Sequence, residues 1–234
     1  MINQNFQENK DFWVNATILH ILTPSIRPQL LSHALNSIAY SEPHDLNVQW
    51  HIFFRGKEID NHGCYQGNHF KNSLTGDLKK QWVFGLCDDN GLHPSFLRRI
   101  GEEIKKNPSM KMFVFWQERH DTPFHLMPAK DKMIRPGMID NSQVVIRADA
   151  LDGVEANLNE LSDGEYFKKI YEMNKESTLF LNEVLAYFES AFWYIGGGEK
   201  RQRYILEDAT CVECRFNEMK NESLKLKWDT SPKE

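Results

Sequence analysis

The sequence predicts a three-layer α/β fold built on a mostly parallel sheet. Short apolar runs of strand length alternate along the chain with segments in which apolar residues recur at helical spacing. This alternation is typical of parallel strands that are joined by helices covering both faces of a sheet. In such sheets ligands bind beyond the carboxyl ends of the strands. The residues that follow each predicted strand are therefore the first candidates for a site.

The first half of the chain contains three predicted strands, at residues 16–22, 48–54 and 81–87. Helical spacing over residues 30–38 and 96–104 predicts a helix after the first strand and another after the third. Pro28 suits the first turn of the earlier helix, because proline lacks an N–H that this turn would leave unpaired. Lys105 and Lys106 suit the last turn of the later one, where positive charge is favoured by the helix dipole.

The second half is predicted to contain strands at 111–116 and 143–146, then helices at 162–173 and 178–194. A run of glycines, Gly196 to Gly198, is expected to end the last helix. We expect one domain over residues 1–198, followed by a charged tail over 199–234 that is at most partly ordered.

Composition argues against several classes of partner and location. The chain has 234 residues and a formal net charge of -5, which gives no support for a nucleic-acid partner. Its apolar stretches are far shorter than the ~20 residues of a membrane helix, so no transmembrane segment is expected. Four cysteines are too few for a disulfide framework, and the sequence begins without an apolar leader. These observations predict a cytoplasmic protein, and peripheral attachment to a membrane stays open.

An acidic pair, Asp88 and Asp89, directly follows the third predicted strand. Two carboxylates at the rim of a buried strand repel each other unless a cation or hydrogen-bond donors lie between them. Mg²⁺ or Mn²⁺ binds one or two carboxylates where substrate phosphates complete the shell. The alternative is structural, because Asp-Asp-Asn-Gly is also a favourable turn sequence. The first and second predicted strands end near Thr23 to Ser25 and near Arg55, so three strand ends converge on one expected site.

Four segments of the chain carry longer patterns, at residues 18–40, 81–108, 137–151 and 162–171. The first, ILHILTPSIRPQLLSHALNSIAY, contains a strand, a Thr-Pro, an Arg-Pro and a helix with Ala-Leu-x-Ser-Ile. The second, QWVFGLCDDNGLHPSFLRRIGEEIKKNP, contains a strand, an acidic cluster, a proline and an amphipathic helix. The third and fourth, GMIDNSQVVIRADAL and SDGEYFKKIY, follow in order. Together they resemble the landmarks of family 2 glycosyltransferases.

The resemblance implies a fold of the GT-A type, the nucleotide-diphospho-sugar transferase superfamily. It implies transfer of a sugar from a nucleotide-sugar donor to a hydroxyl acceptor, carbohydrate or other, with inversion at the anomeric carbon. It also implies Mg²⁺ or Mn²⁺ as the cofactor. In this family Asp89 would match the acid that binds the metal. Asp88 would match the preceding acid, which supports the metal or lies near the ribose.

The same resemblance implies roles for further residues. Thr23, Pro24 and Arg27, with Ser25 among them, match the first-strand loop that contacts the nucleotide. Asp163 matches the catalytic base, which takes the proton of the acceptor hydroxyl as it attacks. The structural alternative for Asp163 is a helix cap, because Ser-Asp-Gly-Glu is also a plausible helix start.

Two positions depart from the family pattern. Cys87 stands where many members have a further aspartate, which implies a weaker metal site. Arg55 stands near the end of the second strand, where members usually have an acid that reads uracil or thymine. This departure implies a different base or a loss of nucleotide binding.

Three other functions stay open from the sequence alone. A non-catalytic protein of the same fold could bind a nucleotide sugar or act as a scaffold. The aromatic residues Phe188, Phe192, Trp193 and Tyr194 could belong to the core, line an acceptor site or form the face of a homo-oligomer. A nucleotidyltransferase would share the sheet and the metal chemistry, but it would ordinarily show a glycine-rich loop after the first strand.

Overall fold

A computed structural model describes residues 17–25, 27–54, 74, 76–119, 134–135, 138–154 and 163–192. Arg55, the Gly196–Gly198 run and the predicted tail at 199–234 fall outside these ranges. Inside them, no helix is both long enough and apolar enough to cross a membrane.

Seven strands form one sheet, on which three α-helices of the described chain pack. The strands are β1 (Ile18–Ser25), β2 (Asn47–Phe54), β3 (Trp82–Gly85), β4 (Gly91–Leu92), β5 (Met112–Arg119), β6 (Val144–Arg147) and β7 (Thr178–Phe188). The helices are α1 (Leu31–Ala39), α2 (Phe96–Lys106) and α3 (Asp163–Met173). Short 3₁₀ turns link several of these elements.

The sheet order is β2-β1-β3-β6-β5-β7-β4. Its three longest pairings, β1 with β2, β1 with β3 and β5 with β7, are parallel. β6 runs antiparallel between β3 and β5, and the short β4 pairs antiparallel with β7. The predicted mostly parallel α/β sheet is therefore confirmed. The strand β6 was predicted, but its antiparallel direction was not, because an apolar run shows where a strand lies and not which way it runs.

Helices cover both faces of this sheet. On one face, Phe96 of α2 packs against Phe84 and Phe115, with ring centroids 4.8 and 5.5 Å away. On the other face, Phe167 and Ile170 of α3 belong to a cluster with residues of β5 and β6. Each fully buried side chain of this size contributes roughly 1.5–3 kcal/mol relative to exposure. The three-layer prediction is confirmed.

The predicted helix at 178–194 is wrong, because Thr178 to Phe188 form β7. Leu179, Leu181 and Leu185 pack toward the core that contains α1 and α2, whereas Phe180 packs toward α3. A spacing of four residues fits one face of a strand as well as one face of a helix. Since both faces of β7 are covered, its sequence lacks the apolar–polar alternation that marks a half-buried strand.

β1 extends further than predicted, through Thr23 and Pro24 to Ser25. Its pairing with β3 ends at Leu22 and Gly85, while its pairing with β2 continues to Ser25. Proline is tolerated where a strand has no partner on the side that its nitrogen faces. The extension carries Ser25 beyond the end of β3, to what we call the carboxyl edge of the sheet.

Two histidines on neighbouring strands make stability depend on pH. His20 of β1 is 4% exposed, and its Nδ1 lies 3.0 Å from Nε2 of His51 on β2. Burial lowers the pKa of His20, and a hydrogen bond with Gln81 only partly opposes this. Burial and the charge of His20 lower the pKa of His51. Both pKa values are therefore lower in the folded chain than in the unfolded chain.

We predict that the free energy of unfolding falls as the pH drops below about 6.5. Below this pH the histidines bind protons in the unfolded chain more readily than in the folded chain, where their pKa values are lowered. The loss approaches about 1.4 kcal/mol per pH unit for each histidine, until the folded pKa is reached. Urea unfolding of the wild type and of His20→Gln at pH 7.5 and 5.5 measures the effect. The variant should lose less stability, and an equal loss would contradict the assignment.

Candidate functional site

Asp88 and Asp89 lie at the carboxyl edge, where β3 has ended beside β1. Leu86 still donates its N–H to the carbonyl of Leu22 at 3.0 Å, and the acidic pair follows two residues later. Asp88 is 2% exposed and Asp89 is 8% exposed. Carboxylates this deeply buried need compensating charge or hydrogen bonds.

The carboxylate of Asp88 is held by donors from the end of β1. The Ser25 hydroxyl donates to Oδ2 of Asp88 at 2.9 Å, and the backbone N–H of Arg27 donates to the same oxygen at 3.3 Å. The Arg27 guanidinium donates to Oδ1 of Asp88. Both oxygens of Asp88 are therefore engaged by the protein, so this residue anchors the loop after β1.

Arg27 also reaches the second acid. Its Nη2 lies 3.0 Å from Oδ2 of Asp89, so one guanidinium bridges both carboxylates. Burial alone would lower the pKa of Arg27, but the charges of Asp89 and Asp88 outweigh it and the pKa is raised. Burial raises the pKa of Asp89, the Arg27 charge opposes this shift, and the Asp88 charge adds to it. One positive charge faces two carboxylates, and Asp89 is the less completely compensated of the two.

The remaining residues predicted from the first two strands are placed differently. The Thr23 hydroxyl is fully buried and accepts a hydrogen bond from Nε1 of Trp50 at 2.8 Å, so it braces β1 against β2. Pro24 is partly exposed at the same edge. Arg55 belongs to a part of the chain that the structure does not describe.

Asp163 is the first residue of α3, and its side chain is not among those described. The far end of α3 leads into β7 at the amino edge of the sheet, where the carbonyl of Ser177 accepts from the N–H of Lys111 at 2.7 Å. A helix of 11 residues is about 16 Å long. Asp163 thus lies at the opposite end of α3 from the one that leads into β7, on the side of the sheet that α3 covers.

Sequence reasoning missed the contribution of Asn90, the residue after the acidic pair. It is 1% exposed, and its Nδ2 donates to Oδ1 of Asp140 at 3.1 Å and to the Ser142 hydroxyl at 2.9 Å. Its Oδ1 accepts from the backbone N–H of Glu189 at 2.7 Å. Asn90 thus ties the acidic turn to the start of β6 and the end of β7. Only its position beside the acids hinted at this role.

The turn that precedes β6 is itself tightly packed. Asp140 caps it by accepting from the N–H of Ser142 at 2.8 Å, and Gln143 completes a capping box. The side chain of Asn141 packs directly on the backbone of Gly85. A Cβ at Gly85 would lie 2.1 Å from Nδ2 of Asn141. A side chain at this position of β3 would therefore force the Asn141 side chain to move.

The segment from Glu189 to Ala191 closes over the acidic turn from the other side. Glu189 has a positive φ of 47°, which is uncommon for a residue other than glycine. The N–H of Ala191 donates to the carbonyl of Asp89 at 3.0 Å, and the Ser190 hydroxyl lies 2.6 Å from Nε2 of His33. The backbone of Asp89 is therefore held by a hydrogen bond from Ala191, which lies far from it in the sequence.

The described residues contain no group of three or more His, Cys, Asp and Glu side chains that would hold a metal unaided. Asp88 is already bound by protein donors on both oxygens, whereas Asp89 meets Arg27 through Oδ2. Mg²⁺ usually takes only one or two carboxylates, with phosphates and waters completing its shell. The arrangement therefore fits a divalent ion shared between Asp89 and a bound phosphate.

Asn90→Asp should lower the free energy of unfolding by about 2–4 kcal/mol. The new carboxylate would be buried beside the carboxylate of Asp140, and Asp140 would lose the hydrogen bond that the Asn90 amide donates. Urea unfolding monitored by circular dichroism measures the change.

Asn36→Asp is the matched control, at a partly exposed position of α1. It should change stability by less than about 0.5 kcal/mol. Equal stabilities for the two variants would show that Asn90 does not hold the turn.

No family model matches the sequence, and no curated protein matches it. Among solved structures, the chain is similar to S. aureus TarS 1–349 in complex with UDP-GlcNAc, with a TM-score of 0.57 at 11% identity over 92% of this chain and 74% of that one. It is also similar to the mannosyltransferase PcManGT from Pyrobaculum calidifontis in complex with GDP-Man and Mn²⁺. That match has a TM-score of 0.53 at 10% identity, over 94% of this chain and 82% of that one.

A longer S. aureus TarS structure matches with a TM-score of 0.53 at 11% identity, over 92% of this chain and 44% of that one. The chain thus spans less than half of that longer protein. Its structural neighbours are glycosyltransferases. The chain therefore has a glycosyltransferase fold, consistent with the GT-A type.

Proposed function

We propose that the chain transfers a sugar from a nucleotide-diphosphate donor to a hydroxyl acceptor, with inversion and with the help of Mg²⁺ or Mn²⁺. The observation that carries the proposal is the buried pair Asp88 and Asp89 at the carboxyl edge of a glycosyltransferase fold. In a sheet of this kind the carboxyl edge is where ligands bind.

Within this proposal, Asp89 holds the divalent ion and Asp88 holds the loop that surrounds it. Asp88 is compensated by Arg27 and Ser25, so its charge stabilises the loop after β1. Asp89 keeps uncompensated negative charge, since a single guanidinium faces two carboxylates. When bound, the metal would neutralise charge that develops on the leaving diphosphate.

The proposed base is Asp163, at the start of α3. Inversion requires the acceptor hydroxyl to attack from the face opposite the diphosphate, so the base must approach from another element than the one that binds the phosphates. The acidic pair follows β3, whereas Asp163 begins α3, which packs with β5 and β6 on one face of the sheet. This separation of elements supports the assignment.

The same proposal limits the donor base and the acceptor to broad chemical classes. The neighbours hold UDP-GlcNAc and GDP-Man, so both uridine and guanosine donors are compatible with the fold. Arg55, in place of an acid that reads uracil or thymine, favours a base other than these two pyrimidines. The acceptor class that we propose is a hydroxyl compound such as a carbohydrate.

A thermal-shift screen of nucleoside diphosphates and their sugars, with and without Mn²⁺, tests the function. A ligand that binds only the folded chain raises the unfolding midpoint by mass action. A shift that needs both a nucleotide and Mn²⁺ would support the proposal and identify the base. Unchanged midpoints for every nucleotide would leave the chain as a scaffold of the same fold.

Asp89→Asn should abolish the Mn²⁺-dependent part of the nucleotide shift, because it removes the carboxylate that the ion would share with the diphosphate. The matched control is Asp152→Asn, which removes a half-exposed carboxylate paired with Lys79. The control should respond like the wild type. A full Mn²⁺-dependent shift in Asp89→Asn would rule out Asp89 as the metal ligand.

Asp163→Asn should leave donor affinity nearly unchanged while turnover falls by a factor on the order of 10²–10⁴, the typical contribution of a positioned general base. Asparagine has nearly the size and shape of aspartate, so the substitution removes the ionisable group from the first position of α3 with little other change. Sugar transfer and donor Kd, measured on the same preparation, give the two values. Normal turnover would leave Asp163 with the structural role alone.

A further inference from the structure

We propose that Arg27 is a resident counter-ion, which weakens metal binding at Asp89 until a nucleoside diphosphate arrives. This inference rests on the proposed function, because it concerns the order in which metal and donor enter the same site. It assigns Arg27 a role beyond the nucleotide contact that the sequence suggested.

The position of Arg27 is set by both its backbone and its side chain. Its N–H donates to Oδ2 of Asp88 at 3.3 Å, and its guanidinium contacts Oδ1 of Asp88 and lies 3.0 Å from Oδ2 of Asp89. The side chain is 27% exposed, so part of it is accessible to solvent. Arg27 thus occupies the place between the two carboxylates where a cation is expected.

A metal ion and this guanidinium compete for the same oxygen. Mg²⁺ binds a carboxylate oxygen at about 2.1 Å, and Nη2 of Arg27 is 3.0 Å from Oδ2 of Asp89. Both cations at once would be only a few ångströms apart in a largely buried site, where like charges repel strongly. One guanidinium cannot cancel two carboxylates, so Arg27 weakens metal binding without preventing it.

A diphosphate changes this balance in two ways. It adds negative charge at the carboxyl edge. Its phosphate oxygens can also accept paired hydrogen bonds from the guanidinium of Arg27. Arg27 can then turn from Asp89 toward the phosphates, while its backbone N–H stays on Asp88. Asp89 is thereby released to the metal at the moment when the phosphates that complete its shell are present. Metal and nucleotide consequently bind with positive, reciprocal coupling.

The test measures the Kd of Mn²⁺ for the whole chain, from the electron paramagnetic resonance signal of free Mn²⁺, without nucleotide and with UDP or GDP. Arg27→Gln should bind Mn²⁺ alone more tightly than the wild type, by a factor on the order of ten, because a competing charge has been removed. The nucleotide should tighten Mn²⁺ binding strongly in the wild type and much less in the variant.

Two further variants keep the test decisive. Arg98→Gln removes an arginine paired with Glu42 on the outer part of α2, and it should bind Mn²⁺ like the wild type. Arg27→Lys retains the charge, but its single ammonium lacks the fork that spans two carboxylates. We expect its Mn²⁺ affinity to lie between those of the wild type and Arg27→Gln, and it decides the question if Arg27→Gln does not fold.

The possible failures have separate signatures. Equal Mn²⁺ affinity in the wild type and the Arg27 variants, measured without nucleotide, would overturn this inference and leave the proposed function intact. Failure of the wild type to bind any nucleoside diphosphate would overturn the proposed function and the coupling with it. Tighter Mn²⁺ binding in both Arg27 variants, with wild-type affinity in Arg98→Gln, would support the inference.

Discussion

The buried ion pair between Arg27 and Asp88 determines how the ends of β1 and β3 meet. Two segments 61 residues apart are joined there by a guanidinium contact and a backbone hydrogen bond, and the Ser25 hydroxyl adds a third. Removing one partner of such a pair typically costs about 3–5 kcal/mol, because a charge is left buried without compensation. Pairing in the sheet brings the two strands together, but this ion pair fixes the loop after β1 and therefore the surroundings of Asp89.

A second network, centred on the uncharged amide of Asn90, supports the charged one. Asn90 joins the acidic turn to the start of β6 and the end of β7 through hydrogen bonds of its amide group, one of them to the Asp140 carboxylate. The two networks meet at the backbone of Asp89, whose carbonyl accepts from Ala191. The proposed exchange of partners at the Asp89 side chain would therefore leave its backbone in place. The proposal thus assigns the rigid support and the exchangeable charge to different groups of residues.

The sequence was most informative where structure is decided locally. β1 with α1, and β3 with the acidic pair and α2, follow from apolar periodicity and from the residues at their ends. β7 was mistaken for a helix because Leu181 and Leu185 fit either period, and only its partner β5 resolves the ambiguity. Within the site, Asp88 and Asp89 stood out by type and position. The bridging by Arg27 and the cross-links of Asn90 could not be predicted, since both depend on contacts between distant segments.

Gly85 shows how far the site extends into the sheet. Any side chain there would meet Asn141, whose turn carries the partners of Asn90. In a library that varies β3, most positions would tolerate other apolar residues if core volume were conserved. A selection for folding alone would report Gly85 as a packing position. A selection for ligand binding would report it as part of the site, although its neighbour is Asn141 and not the acidic pair itself.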